Sequence, residues 1–245
     1  MAAVCLIGFA EKKPGFWQAL WQQWRLKVQP VGKVAVVDVA HLRLPWTAEE
    51  LYAMPGEEMH RVVERMLQRL RRRGIVSFGW PLELTLNWPG ELPDGVVDGR
   101  ETAVRAFVAG AGRAIGGWGG KQAALLGVEQ KWHKLFCDEL LAAGARPVLY
   151  GARAVSLAEY YYRRQGIAIP VFGVKKTIRS SDVLLILDPA FAALPGAAER
   201  NVFVFYEPMV RLSGSFVGRF AFGWFRAGWA AALAAAGADI LLDKN

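Results

Sequence analysis

Lys121-Gln-Ala-Ala-Leu-Leu-Gly127, the helical stretch Gln130 to Ala143 and the short run Pro147-Val-Leu-Tyr150 decide how this chain is read. The first and third pieces are apolar without polar alternation, the mark of strands buried on both faces. A helical stretch between two such strands is the pattern of a βαβ unit. The alternation continues outward. A helix over Arg100 to Ile115 and the turn Gly116-Gly-Trp-Gly-Gly120 precede the segment. A helix (Ser156 to Gln165), a short strand candidate (Ile169 to Phe172) and strands at 183–187 and 202–206 follow. A long helix around 217–236 and a last strand at Ile240 to Leu242 complete the pattern. Right-handed crossovers then predict the strands at 122–127, 147–150, 183–187 and 202–206 to be parallel in one sheet, with helices on both faces.

The first third of the chain reads as a separate α/β lobe. Val4 to Phe9 and Lys33 to Val39 are buried-strand runs, the latter ending near Asp38. Between them Pro14 opens a helix with Phe16, Trp17, Leu20, Trp21 and Trp24 on one face, a spacing that suits core packing. Thr47 and Glu50 have the spacing of a capping box, and Pro55-Gly56 splits the helical segment 47–73. Beyond the split Met59, Val62, Val63, Met66, Leu67 and Leu70 form an apolar stripe; Arg65 and Arg72 are expected outside it. Ile75 to Phe78 and Leu82 to Leu86 are strand candidates, and the Pro- and Gly-rich stretch Asn87 to Gly99 reads as a linker. The expected organisation is therefore α/β in two lobes, residues 1–95 and 96–245.

Composition excludes several classes. With 53% hydrophobic residues among 245, the chain can offset its ordering entropy and is not disordered. The 26 glycines show no triplet period, and two cysteines make no disulfide scaffold. Cys5 and Cys137 read as buried thiols of a reducing compartment, and three scattered histidines offer no zinc spacing, so no metal is expected. The opening run is too short for a signal peptide and has the wrong charge order; Arg219 and Arg226 interrupt the most apolar late stretch. A cytoplasmic protein without membrane contact is expected. The net charge of +8 and the arginines at 69–73 raise nucleic-acid binding, but the basic residues are spread along the chain, which argues against it.

From Lys121 onward the chain resembles the Rossmann-type NAD(P)-binding domain of the shikimate dehydrogenase and glutamyl-tRNA reductase group. Lys121 to Gly127 is similar to that group's first strand. Ala143-Gly-Ala-Arg-Pro-Val-Leu-Tyr-Gly-Ala-Arg153 is similar to its second strand and turn, and Ser180 to Asp188 to the strand whose end faces the nicotinamide. The resemblance covers about residues 100–245 and implies Gly127, Gln130, Lys131, Gly151 and Arg153 as cofactor-binding positions, with NADP or NAD as cofactor. An arginine at position 153 would suit a 2′-phosphate. The turn itself, Gly127-Val-Glu-Gln-Lys-Trp132, lacks the Gly-x-Gly-x-x-Gly fingerprint; Val128 and Glu129 oppose a diphosphate, while Lys131 and the helix start attract an anion.

Other motifs give less. A P-loop is excluded, because position 115 is Ile and position 122 is Gln. There is no Gly-x-Ser-x-Gly elbow and no His-Glu-x-x-His, and His133 inside its helix reads as structural. Asp38, Asp188, Glu207 and Asp243 stand near strand ends, where an open parallel sheet binds its ligands. Of these, Asp188 and Glu207, each before a proline, are the catalytic candidates. Lys175, Lys176 and Arg179 read as surface charge. Two readings stay open. One is a nucleotide- or cofactor-binding protein, an oxidoreductase acting on a small-molecule ligand in a cleft between the lobes, with a homo-oligomer allowed. The other is a non-catalytic Rossmann-like binding or assembly module with a degenerate phosphate loop.

Overall fold

The computed structural model describes residues 3–10, 28–34, 37–88, 90–127, 130–151, 153–187, 191, 201–205, 209–212, 216–218, 224–238 and 240–241. The chain forms two compact units, Met1–Ala103 with Glu207–Asn245, and Val104–Tyr206. Residues 207–245, expected in the C-terminal lobe, thus group with the N-terminal segment. The Trp-rich stretch read as a helix from Pro14 lies outside the described residues.

The first unit runs β1 (Ala3–Gly8), β2 (Val28–Val34), β3 (Val37–Arg43), α1 (Ala48–Tyr52), α2 (Gly56–Arg71), β4 (Ser77–Gly79) and α3 (Leu82–Asn87). Helix α4 (Arg100–Ala114) carries the chain into the second unit. There follow β5 (Gln122–Leu126), α5 (Gln130–Ala142), β6 (Arg146–Leu149), α6 (Ala154–Gln165), α7 (Val174–Ser180), β7 (Val183–Ile186) and β8 (Asn201–Val204). The chain then returns to the first unit as β9 (Met209–Leu212), β10 (Phe216–Gly218), β11 (Trp224–Arg226), α8 (Ala227–Ala235) and β12 (Ile240–Leu241).

In the first unit one sheet has the order β10-β2-β3-β1-β4, and a small antiparallel sheet has the order β11-β9-β12. β1 is parallel to both β3 and β4. Alternate β1 residues Cys5 and Ile7 pack with Leu42, Leu51, Val63, Met66, Leu67, Leu70 and Phe78 under α1 and α2. Thr47 caps α1 as expected: its Oγ1 accepts from the Glu50 N–H, and Glu50 accepts from the Thr47 N–H. Helix α8 is buried nearly all round and lies against β1 and β4. It comes so close that a Cβ on Gly99 would collide with the Gly228 Cα, and one on Gly79 would stand 2.9 Å from the Ala232 Cβ.

Several local expectations are corrected. The run Lys33 to Val39 is not one strand; it spans the end of β2 and the start of β3, which pair antiparallel with Lys33 opposite Asp38 and their charged groups 3.4 Å apart. Asp38 therefore starts a strand rather than ending one. Leu82 to Leu86 alternates like a strand but forms α3. Pro81 has no N–H for a ladder, and the Trp80 indole donates to Thr85 Oγ1 at 2.9 Å, closing the turn. The linker reading of Asn87 to Gly99 also fails. Val96 bridges Phe78, the Val97 N–H donates to the Phe78 carbonyl, and Gly95 takes φ +79° where the chain passes the Val76 carbonyl. The long helix expected around 217–236 is confined to α8; β10, held by pairing with β2, and β11, paired with β9, occupy its first half.

The second unit bears out the expected parallel sheet. Its order is β6-β5-β7-β8, and every pair is parallel. The stretch expected as a strand at 169–172 is reduced to a parallel bridge from Val171 to Leu149, on the far side of β6 from β5. With that bridge counted, the order from the edge in order of sequence is third, second, first, fourth, fifth, the Rossmann arrangement. Ala124, Leu126, Leu184 and Ile186 pack with Ile178 of α7, while Ala123, Leu125, Val183 and Leu185 face the opposite side and are equally buried.

On α2 the apolar stripe is core: Met66, Leu67 and Leu70 are buried, and Arg65 and Arg72 are exposed. Met66→Ala is expected to cost about 2–4 kcal/mol in urea denaturation, from lost transfer energy and a residual cavity. Arg65→Ala is expected to change stability by less than about 0.5 kcal/mol in the same measurement.

Candidate functional site

In an open parallel sheet the ligand crevice lies beyond the carboxyl ends of the strands, where the strand order reverses. Here the reversal falls at β5, from which the chain builds first through β6 on one side and then through β7 on the other. The register pairs Leu125 with Leu149 and Leu126 with Ile186, and the Leu187 N–H donates to the Leu126 carbonyl at 2.9 Å. Continued by two residues, the same register sets Gly127 beside Gly151.

Both glycines stand where a side chain is disfavoured, Gly127 at φ +82° and Gly151 at φ +136°. Each turns the chain off its strand end. Beyond Gly127, Gln130 opens α5, a helix of 13 residues without an acidic residue in its first turn. Its first N–H groups lack intrahelical acceptors and carry the positive end of the helix dipole. Beyond Gly151, Arg153 stands at the N-cap position of α6 with its side chain exposed, and the Ala154 N–H donates to the Gly151 carbonyl at 3.2 Å. The structure thus brings Gly127, the start of α5 with Gln130 and Lys131, Gly151 and Arg153 to one end of the sheet. Val128, Glu129 and the catalytic candidates Asp188 and Glu207 lie outside the described residues, as does Asp243.

Side chains of the first turns of α5 fix how it meets the sheet. Trp132 stands where the fingerprint has its third glycine. Its ring meets Phe205 at 5.1 Å and Phe136 at 6.3 Å between centroids, and Phe107 of α4 also meets Phe205 at 5.1 Å. This aromatic cluster joins α5 to α4 and to the residue that follows β8. On the other side of α5 the Tyr161 hydroxyl of α6 donates to Asp138 at 2.6 Å, tying the two helices together.

One residue that reads as structural in the sequence lies beside this strand end. His133 is 1% exposed, and its Nε2 has no hydrogen-bond partner among the described residues. Its Cε1 lies 3.9 Å from the point where a Cβ on Gly151 would stand. No local motif marks it, because the contact joins a helix to the end of a strand that comes after it. Burial holds its imidazole at a pKa of about 4, below the ordinary 6.5, so it is neutral at pH 7. The buried thiols are also kept protonated. Cys5 is pushed up to about 12, and burial together with Asp138 raises Cys137, so neither is an activated nucleophile. Among the described residues, no three His, Cys, Asp or Glu side chains gather as metal ligands. No helix there is long and apolar enough to cross a membrane. Lys175, Lys176 and Arg179 lie on α7 with exposed side chains, the Lys176 ammonium 4.2 Å from the centre of the Phe172 ring.

The His133 shift makes stability depend on pH. Its folded pKa lies below its unfolded one, so the unfolded chain binds the proton first and stability falls as pH drops from about 6.5 towards about 4. Between about pH 7 and about pH 4.5 the parent is expected to lose roughly 2 kcal/mol more than His133→Gln, read from urea midpoints.

No family model matches the chain, and no curated protein does. Among solved structures it is similar to the L-tryptophan dehydrogenase of Nostoc punctiforme, at 14% identity and a TM-score of 0.35 over 83% of this chain; it spans 62% of that protein. It is also similar to a dipicolinate synthase from Bacillus halodurans, at 12% identity and a TM-score of 0.36, covering 83% of this chain and 80% of that one. For the shikimate dehydrogenase of Aquifex aeolicus the figures are 14% identity, a TM-score of 0.38, and 75% and 67% coverage. The Rossmann-like assignment of the second unit rests on its strand order and register, which stand independently of these likenesses.

Proposed function

We propose that the chain is a cytoplasmic NAD(P)-binding protein, an oxidoreductase acting on a small metabolite. The observation that carries this reading is the end of β5. Gly127 in the left-handed region leads into a helix whose first turn holds Lys131 and no acid, at the reversal point of a parallel sheet. The donor set fits an anionic cofactor: the N–H groups at the start of α5 and Lys131 would hold its diphosphate, and Arg153 would hold a 2′-phosphate. The bound cofactor would supply hydride transfer, and Asp188 and Glu207 are the groups proposed to handle the substrate's proton.

A second reading is favoured by a specific feature, the aromatic cluster around Trp132 at the third glycine's place. A bulky residue at that place, after Val128 and Glu129 where the fingerprint has glycine, suits a binding or assembly module that no longer accepts a dinucleotide.

Titration calorimetry with NAD and NADP separates the two. Glu129→Gly is expected to tighten either cofactor by about 1 kcal/mol, by removing a partly screened like charge and the bulk of a side chain in the turn. Arg153→Ala is expected to weaken NADP selectively, by about 1–2 kcal/mol relative to NAD. Absence of binding by the parent and both variants at millimolar cofactor overturns the dehydrogenase reading in favour of the module.

A further inference from the structure

His133 poses a problem of polar accounting. A buried imidazole nitrogen without a partner costs free energy comparable to a lost hydrogen bond. Among the described residues nothing repays that cost, since none of them pairs with Nε2. Yet the ring is not lost in the interior. It projects from the first turns of α5, and its Cε1, bonded to Nε2, is 3.9 Å from the vacant Cβ position of Gly151. Gly151 is itself exposed and has no side chain to stand between the ring and solvent on that side. Two independent features, the N-terminus of a 13-residue helix and an orphaned buried nitrogen on a ring whose Cε1 lies beside the same strand end, therefore converge on one place.

We infer that His133 Nε2 is a specificity-determining contact of this site, forming a hydrogen bond to an uncharged hydroxyl of the bound ligand beside Gly151. A hydroxyl suits a neutral ring whichever of its nitrogens carries the proton, whereas a phosphate could be met only by the N–H and would gain no charge pairing. A neutral imidazole has one donor and one acceptor nitrogen, and a hydroxyl answers either. The inference rests on the nucleotide-binding reading above and deepens it: one anionic contact at the start of α5 and one hydroxyl contact at His133 together describe a phosphorylated, hydroxylated ligand.

The test is calorimetry with ADP, 2′-deoxy-ADP and 3′-deoxy-ADP on the full chain. The parent is expected to bind one of the deoxy nucleotides about fivefold more weakly than ADP, the worth of one hydrogen bond. His133→Phe is expected to bind all three alike, and His133→Gln to recover part of the preference. Should His133→Phe fail to fold, the ring nitrogens of His133 in the parent give the answer by NMR. They are expected to shift with ADP and to shift less with the disfavoured deoxy nucleotide. ADP binding without discrimination, discrimination that survives in His133→Phe, or ring signals unmoved by bound ADP would each overturn the inference while leaving the nucleotide reading intact. If the parent binds no ADP, NAD or NADP at millimolar concentration, that reading falls and the inference with it.

Discussion

Everything proposed for the second unit depends on the placement of β5 between β6 and β7, hydrogen-bonded in parallel to both. Parallel neighbours cannot be joined by a tight turn, so each must be reached by a crossover, and the crossovers lay helices over the sheet. That constraint explains why Ala123 to Leu126 and Val183 to Ile186 are fully buried, since both faces of the strands are covered. It also puts the start of α5 directly beyond the end of β5, where its unpaired N–H groups face the crevice. The chemistry available there follows from a topological fact before any side chain is considered.

The side chains then narrow it. Gly127 and Gly151 allow the chain to leave neighbouring strand ends at dihedrals that other residues disfavour. Trp132 packs on Phe136 of its own helix and on Phe205 beyond β8, and Tyr161 fixes α5 to α6. Beside Gly151 the nearest side chain is that of the neutral His133.

The parts legible in sequence were those where one physical signal acts alone. β5 and β7 announce themselves because a strand buried on both faces needs no alternation. The stripe from Met59 to Leu70 is clear because a helix against a core needs one apolar face, and Thr47 with Glu50 makes a cap from its own four residues. Misreadings arose where signals conflict. Leu82, Leu84 and Leu86 alternate like a strand, but Pro81 and the Trp80–Thr85 bond settle the segment as a helix. The Ala- and Gly-rich stretch after Phe216 has helical composition, yet pairing of β10 with the far earlier β2 decides its first part. His133 reads in the sequence only as a structural histidine inside a helix. Its meaning comes from the end of β6, which only the tertiary structure brings beside it.

The central claim, that the end of β5 and the start of α5 receive an anionic ligand, is tested most directly by amide hydrogen exchange across the full chain with and without NADP. The account expects slower exchange confined to the peptides covering Gly127 to Lys131 and Gly151 to Arg153, with α2 and β1 unchanged as internal controls. Unaltered exchange in those two turns, under conditions where calorimetry shows NADP bound, would contradict it.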